Sequence, residues 1–289
     1  MIKMDNNAKN PLILDGRVLA KEIRIDLRKR VAKIIEKTGE KPVLATILVG
    51  DYPPSVQYVE SKGKDCERIG MSSLKVHLPE TSTTEEVINE IEKLNANDNV
   101  SGILLQHPVP GHIDEQKCFN SIAFSKDTDG VNIASFGAMA MGLDGFKCAT
   151  ALAIMSILKR YEIETSGKNA VVIGRSPILG KPVAMLLLNA DATVTICHTK
   201  TKDLPEITRR ADILVAAVGK PKFVQAEWVR DGAVLIDAGY NEGDIGDIDL
   251  EAAAPKSSAY TPVPGGVGPV TRMKLIEQTV IAAERKFYL

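Results

Sequence analysis

Between residues 15 and 37, apolar positions recur at steps of three and four: Val18, Leu19, Ile23, Leu27, Val31, Ile34 and Ile35, with charges filling the gaps. That period marks one face of an α-helix, and Gly39 stands where a left-handed C-cap would close it. The pattern then changes. PVLATILVG (42–50) is a β-branched run bounded by proline and glycine, as expected of a strand buried in a parallel sheet. Ser55 to Ile69 returns to helical spacing and stops at Gly70. SLKVHLP, a helix from Thr84 to Asn95 with Thr and Glu as capping residues, and GILLQHP (102–108) continue the alternation.

After residue 148 the alternation restarts: a helix (151–161), strand AVVIG, helix PVAMLLLNA, strand TVTIC, a helix at 203–210, then strands DILVAAVG and AVLIDAGY. A last helix is expected after Pro269. The fold class is therefore α/β, two domains each with a mainly parallel sheet, the C-terminal one Rossmann-like. The expected division is 1–148 plus 271–289 for one domain and 149–270 for the other.

Charge narrows the partners. Lys plus Arg (36) and Asp plus Glu (37) nearly cancel, so no global field would draw in nucleic acid or a membrane surface. The hydrophobic share of 44% is that of an ordinary globular chain, and no apolar run approaches membrane-spanning length. The N-terminal MIKMDNNAKN is polar and has no apolar core of a signal peptide, so the expected compartment is the cytoplasm. Cys66, Cys118, Cys148 and Cys197 lack paired metal-ligand spacing and read as reduced, packed thiols; no metal site is expected.

Two punctuated turns carry the candidate chemistry. GRSPILGKP (174–182) follows a strand, with Pro182 in the first turn of the next helix. A helix N-terminus offers N–H groups to a pyrophosphate, although GxSxxxG is not the usual dinucleotide spacing and an ordinary strand-to-helix turn reads the same way. At the end of the following strand an NAD site places a carboxylate for the ribose hydroxyl. Here that strand ends in His198, Thr199, Lys200 and Thr201, and Arg175 sits in the first turn, where its fork could grip a 2′-phosphate. Both features favour NADP, against the plainer reading of two solvated cations.

The second turn is TPVPGGVGP (261–269), where proline presets φ and glycine lets backbone approach a ligand. In the first half, Tyr58 and Lys62 share a helix face at i and i+4, Gln106 closes a strand, and Asp129 lies in the turn-like SKDTDG. From spacing alone each has a structural reading too: a packed tyrosine, a solvated lysine, a strand-end glutamine, a turn aspartate. Strand alternation turns His107 away from the side of Gln106, which predicts a packing role for it.

Taken in order, YVESK (58–62), GILLQHPVP, KDTDG, VVIGRSPILGKP, CHTKT, AVGKP, IDAGYN and TPVPGGVGP resemble the bifunctional methylenetetrahydrofolate dehydrogenase/methenyltetrahydrofolate cyclohydrolases. The resemblance covers nearly the whole chain from about residue 12. It implies a homodimer whose two α/β domains enclose a cleft, with folate on the N-terminal domain and NADP on the C-terminal one. By the same resemblance Lys62 is the acid/base of the cyclohydrolase step, Tyr58 shapes the folate site, Gln106 positions Lys62, and Asp129 binds the pterin. Pro264, Gly265, Gly266, Gly268 and Thr271 line the folate site, while Gly174, Arg175, Ser176, Thr199, Tyr240 and Thr150 hold the cofactor. The implied reactions are oxidation of 5,10-methylenetetrahydrofolate with NADP and hydrolysis of the methenyl product to 10-formyltetrahydrofolate.

The chain departs from the family pattern in places. QHPVP stands for QLPLP, CATA (148–151) for PCTP with Thr150 kept, Tyr240 for isoleucine, and PVTRMKL (269–275) for PMTVAML. A monofunctional dehydrogenase, another NADP dehydrogenase acting on a small hydroxy or keto acid, and a non-catalytic NADP sensor are the alternatives. The last two do not require the first-half motifs.

Overall fold

The computed structural model describes residues 10–287. The described residues form two compact units, one of Arg17–Met155 with 269–287, the other of Ser156–Gly268 with 10–16. This differs from the division expected from sequence, which placed the N-terminal residues with the first unit and put the boundary at 148/149. The physical reason is a strand too short to show a period. β1 (Leu12–Ile13) pairs in parallel with β9 (Ala259–Tyr260), and the N–H groups of Leu12 and Leu14 donate to Ser258 and Tyr260 at 2.9 and 2.8 Å. Residues 1–9 and 288–289 of the expected division lie outside the described residues.

The first unit is built on a parallel three-stranded sheet. Its order is β3 (Ser72–Leu78), β2 (Val43–Val49), β4 (Gly102–Leu105). β2 is the central strand and is buried along nearly its whole length, which is why it carries no polar alternation. α1 (Gly16–Thr38) buries Leu19, Ala20, Ile23, Leu27, Val31 and Ile34, the apolar stripe seen in the sequence. α2 (Pro53–Ile69) begins with prolines, whose missing N–H costs nothing in a first turn, and ends at Gly70 in the left-handed conformation. α3 (Thr84–Ala96) starts at a capping box in which Thr83 and Glu86 exchange hydrogen bonds.

Two short helices, α4 (Glu115–Ser121) and α5 (Ile133–Ala140), were not foreseen. Their N-caps, Asp114 and Asn132, accept from the backbone N–H groups of Lys117 and Ser135. α6 (Ala149–Arg160) follows. The last helix, α10 (Val267–Lys286), begins two residues before the expected Pro269. Proline is tolerated there because first-turn N–H groups have no partner inside the helix. α10 buries Leu275, Ile276, Thr279, Val280 and Ala283. Gly102 on β4 has no room for a side chain, since a Cβ would stand 2.4 Å from Thr128 and 3.0 Å from Thr279.

The second unit is a parallel six-stranded sheet of order β1, β9, β8 (Val234–Asp237), β7 (Ile213–Ala216), β5 (Asn169–Ile173), β6 (Thr193–Cys197). Its core joins Val171, Ile173, Leu214, Ala216 and Leu235 to Val224, Val229 and Ile248. The chain passes from β5 through α7 (Gly180–Asn189) to β6, then through α8 (Leu204–Thr208) back to β7 on the other side of β5. The strand order thus reverses at β5. In open α/β sheets that is where ligands bind, beyond the carboxyl ends of the strands. A four-residue helix, α9 (Leu250–Ala253), precedes β9.

Candidate active site

In the first unit, the carboxyl ends of β2 and β4 lie side by side, with Ile47 opposite Leu105. Gln106 follows β4, its backbone N–H donating to Ile47 O at 2.9 Å, and its side chain is buried. The amide Nε2 donates to His107 O at 2.6 Å. That leaves Oε1 facing Lys62, whose Nζ donates to it at 2.9 Å.

Burial is the main force on Lys62 and brings its pKa down to about 8; Arg272 pushes the same way, and Asp129 opposes both. At pH 7 such an amine is neutral in about one molecule in ten, against about one in three thousand for a solvated lysine. Asp129 is half-buried. Its carboxyl is pushed up to about 6, chiefly by burial and further by Asp127, with Lys62 and then His107 pulling it back down. The unit thus brings together a poised amine, an amide that orients it and a carboxylate. Tyr58 shares α2 with Lys62 and is half-buried.

The two aspartates of KDTDG have different work. Asp127 is fully buried and accepts from the N–H groups of Val131 and Asn132 at 3.1 and 3.0 Å, which shapes the turn carrying Asp129. Gln278 of α10 fastens the same turn, donating to Thr128 O and Lys147 O at 2.8 Å and accepting from the Lys147 N–H. Thr150, expected among the cofactor residues, lies in this first unit beside Ala149, whose N–H donates to Asp129 O at 3.2 Å. Thr271 also belongs to it, within α10.

His107 does not pack. β4 ends at Leu105, so strand alternation never reaches residue 107. The imidazole is exposed, with Nδ1 2.7 Å from Glu115 Oε1. Sequence reasoning also missed Asp65, a buried carboxylate on α2 contacted by Arg24, Arg68 and Arg272. Its partners come from distant helices, and only the PVTRMKL departure hinted at one of them.

In the second unit, the loop after β5 is built to approach backbone closely. Gly174 has φ +123°, and a Cβ on it would stand 2.2 Å from Ala217 O; one on Gly180 would stand 2.3 Å from Gly174 O. A cradle that only glycine permits fits a dinucleotide's phosphates. One expectation changes here. The N–H groups of Gly180 and Lys181 donate to Ser176 Oγ and O, at 3.3 and 3.1 Å, and are not left open for a ligand. The Ser176 hydroxyl accepts from Gly180, and a hydroxyl that accepts can still donate. Arg175 and Thr199 are exposed, the latter in a turn fixed by His198 N donating to Thr201 Oγ1 at 2.8 Å.

Two buried aspartates hold the next loops. Asp247 accepts from the N–H groups of Val218 (2.6 Å) and Gly219 (2.9 Å) at Oδ2, and from Lys220 N (2.9 Å) and Asn241 Nδ2 (3.1 Å) at Oδ1. Asp237 accepts from Gly239, Asp247 and Ile248, and burial pushes its carboxyl up to about 6. Tyr240 is exposed on the loop so held, its hydroxyl donating to Asp244 at 2.6 Å. Because both Asp247 oxygens accept N–H groups, an asparagine would set its own NH2 against one pair. Asp247→Asn should therefore lower the unfolding free energy by about 2–4 kcal/mol and the melting temperature by roughly 5–15 °C. Calorimetry checks this, and an unchanged melting point would contradict it.

Pro264, Gly265, Gly266 and Gly268 also belong to the second unit. Gly265 has φ +112°, Gly266 N donates to Pro262 O at 2.7 Å, and Gly16 packs so tightly that a Cβ there would stand 1.8 Å from Gly266 O. The TPVPGG loop is tightly packed backbone, and the following VGPVT is already helix.

Two family models match: the tetrahydrofolate dehydrogenase/cyclohydrolase catalytic domain over residues 14–129 and the NAD(P)-binding domain of the same family over residues 148–287. The bifunctional protein FolD of Cellvibrio japonicus is 56% identical over 275 residues, 95% of this chain and 98% of that one. The chain belongs to the tetrahydrofolate dehydrogenase/cyclohydrolase family. Among solved structures, the bifunctional FolD enzyme of Campylobacter jejuni is 45% identical with a TM-score of 0.92, covering 95% of this chain and 99% of that one. The FolD of Trypanosoma brucei, complexed with NADP cofactor and inhibitor, is 35% identical with a TM-score of 0.93, covering 96% and 99%. The family's NAD(P)-binding segment extends through α10, which here packs with the unit holding Lys62.

Proposed function

We propose that this chain oxidises 5,10-methylenetetrahydrofolate to the methenyl form with NADP, and hydrolyses the methenyl form to 10-formyltetrahydrofolate. The observation that carries the reading is the Lys62 amine, oriented on Gln106, with burial bringing its pKa down to about 8. NADP, when bound, would supply the hydride acceptor. For that step the residues of the first unit have only to hold folate in near-attack geometry, Asp129 at the pterin and Tyr58 along its face. Water addition needs a base. Lys62 takes a proton from water as its oxygen bonds the methenyl carbon, and the resulting ammonium returns a proton to the ring nitrogen as the ring C–N bond opens.

The cofactor is assigned to Gly174, Arg175, Ser176, Thr199, Tyr240 and Thr150. Pro264 to Thr271 are assigned to folate. Folate is proposed for 1–148 plus 271–289 and NADP for 149–270. The working form is proposed to be a cytoplasmic homodimer acting on small molecules and neither nucleic acid nor membrane, on the support of the family resemblance and the balanced charge. Among the described residues no helix is long and apolar enough to cross a membrane.

The test is absorbance of the methenyl product formed from methylenetetrahydrofolate with NADP or NAD, followed by its decay. A first phase without the second would mark a monofunctional dehydrogenase. Arg175→Ala removes the guanidinium assigned to the 2′-phosphate, a contact worth on the order of 1.5–3 kcal/mol, so NADP affinity should fall tens-fold and NAD affinity little. Equal losses for both cofactors would contradict the assignment.

A further inference from the structure

Asp65 lies one turn beyond Lys62 on α2 and is 1% exposed. Three guanidinium groups converge on it: Arg24 Nη2 at 3.4 Å from α1, Arg68 Nη1 at 3.2 Å from α2 itself, and Arg272 Nε at 3.2 Å from α10. Two arginines already exceed what one carboxylate neutralises. The third is the one whose charge reaches Lys62. It also stands where the family pattern has valine, in PVTRMKL for PMTVAML. A cation next to a catalytic amine is costly unless something fixes it, and a buried carboxylate does that.

We propose that Arg272, ion-paired with Asp65, is a positioning residue for the hydrolytic step, a positive charge that opposes protonation of Lys62. The other groups facing Lys62 are few. Asp129, from the turn before α5, favours the ammonium form; Gln106 is neutral; Cys66, on the same helix, is a thiol that burial pushes up to about 12 and is uncharged at working pH. His107 acts on Asp129. Arg272 is therefore the cation that balances Asp129 at the amine.

The inference rests on Lys62 being the base, and the test separates the two. The pH profile of methenyltetrahydrofolate hydrolysis, corrected for the uncatalysed reaction, is measured for wild type, Arg272→Met, Arg272→Lys and Lys62→Met. Arg272→Met leaves Asp65 paired with Arg24 and Arg68, so the buried charge is not orphaned. Its rise in rate with pH should move upward, giving a rate about 3- to 10-fold below wild type at pH 7 and within about twofold at pH 9.5. Arg272→Lys should keep the wild-type profile. A rise at the wild-type pH in Arg272→Met, with the rate intact or uniformly lowered, overturns the proposal, as does a lysine variant that behaves like the methionine one. Wild-type hydrolysis by Lys62→Met would overturn the base assignment itself, and this proposal with it.

Discussion

Lys62→Met should accumulate the methenyl product: water addition falls by at least about 10²-fold, the usual loss when a general base is removed, while hydride transfer keeps a substantial fraction of its rate. Methionine preserves the length and apolar stem of the half-buried side chain, so mainly the amine is lost. The two steps separate because hydride transfer asks for alignment, not for a proton acceptor. The pH dependence follows from the amine. With its pKa near 8, hydrolysis in the wild type should climb as pH rises through that value, because the neutral form is the base. Absorbance of the methenyl chromophore reads both steps in one cuvette. Hydrolysis by the mutant at near the wild-type rate would return Lys62 to the ordinary half-exposed lysines.

Asp129→Ala should depress both activities together, by about 10- to 100-fold in kcat/KM, because the carboxylate is assigned to the pterin and so acts before either chemical step. Two N–H donors of the pterin would lose an ionised acceptor, a paired contact worth on the order of 1.5–3 kcal/mol in all. The wild type should show the same loss on acidification. Burial holds the Asp129 carboxyl at about 6, so it is ionised above that pH and neutral below it; KM for folate should rise as pH falls through about 6. Steady-state kinetics of each activity on one preparation decide the matter, and loss of only one activity would remove Asp129 from the pterin.

Much of this was legible in the chain. The stripe of α1 and the buried run of β2 announced themselves because packing on one face, or on two, writes a period into sequence. Lys62, Gln106 and Asp129 stood in recognisable segments, and the fold sets the first two 2.9 Å apart. What stayed hidden lacked a local pattern. β1 and β9 are two residues each, too short for alternation, yet their pairing puts residues 10–16 with the other unit. The ring of arginines on Asp65 joins α1, α2 and α10, and nothing near Asp65 in the sequence signals Arg272. His107 misled because alternation was extended past the end of a strand.

Gln278 gives α10 a part in the order of assembly. The turn bearing Asp129 is fastened by a glutamine from the last helix of the described chain, and Arg272 reaches Asp65 from the same helix. A nascent chain made at about 5–20 residues per second has synthesised Lys62, Gln106 and Asp129 long before these contacts exist. The Rossmann-like unit, whose strands β5 to β9 are all encoded earlier, can complete its sheet first. The unit that carries Lys62 therefore has its Asp129 turn and its Asp65 cluster completed by contacts far apart in sequence, which slow folding relative to local ones.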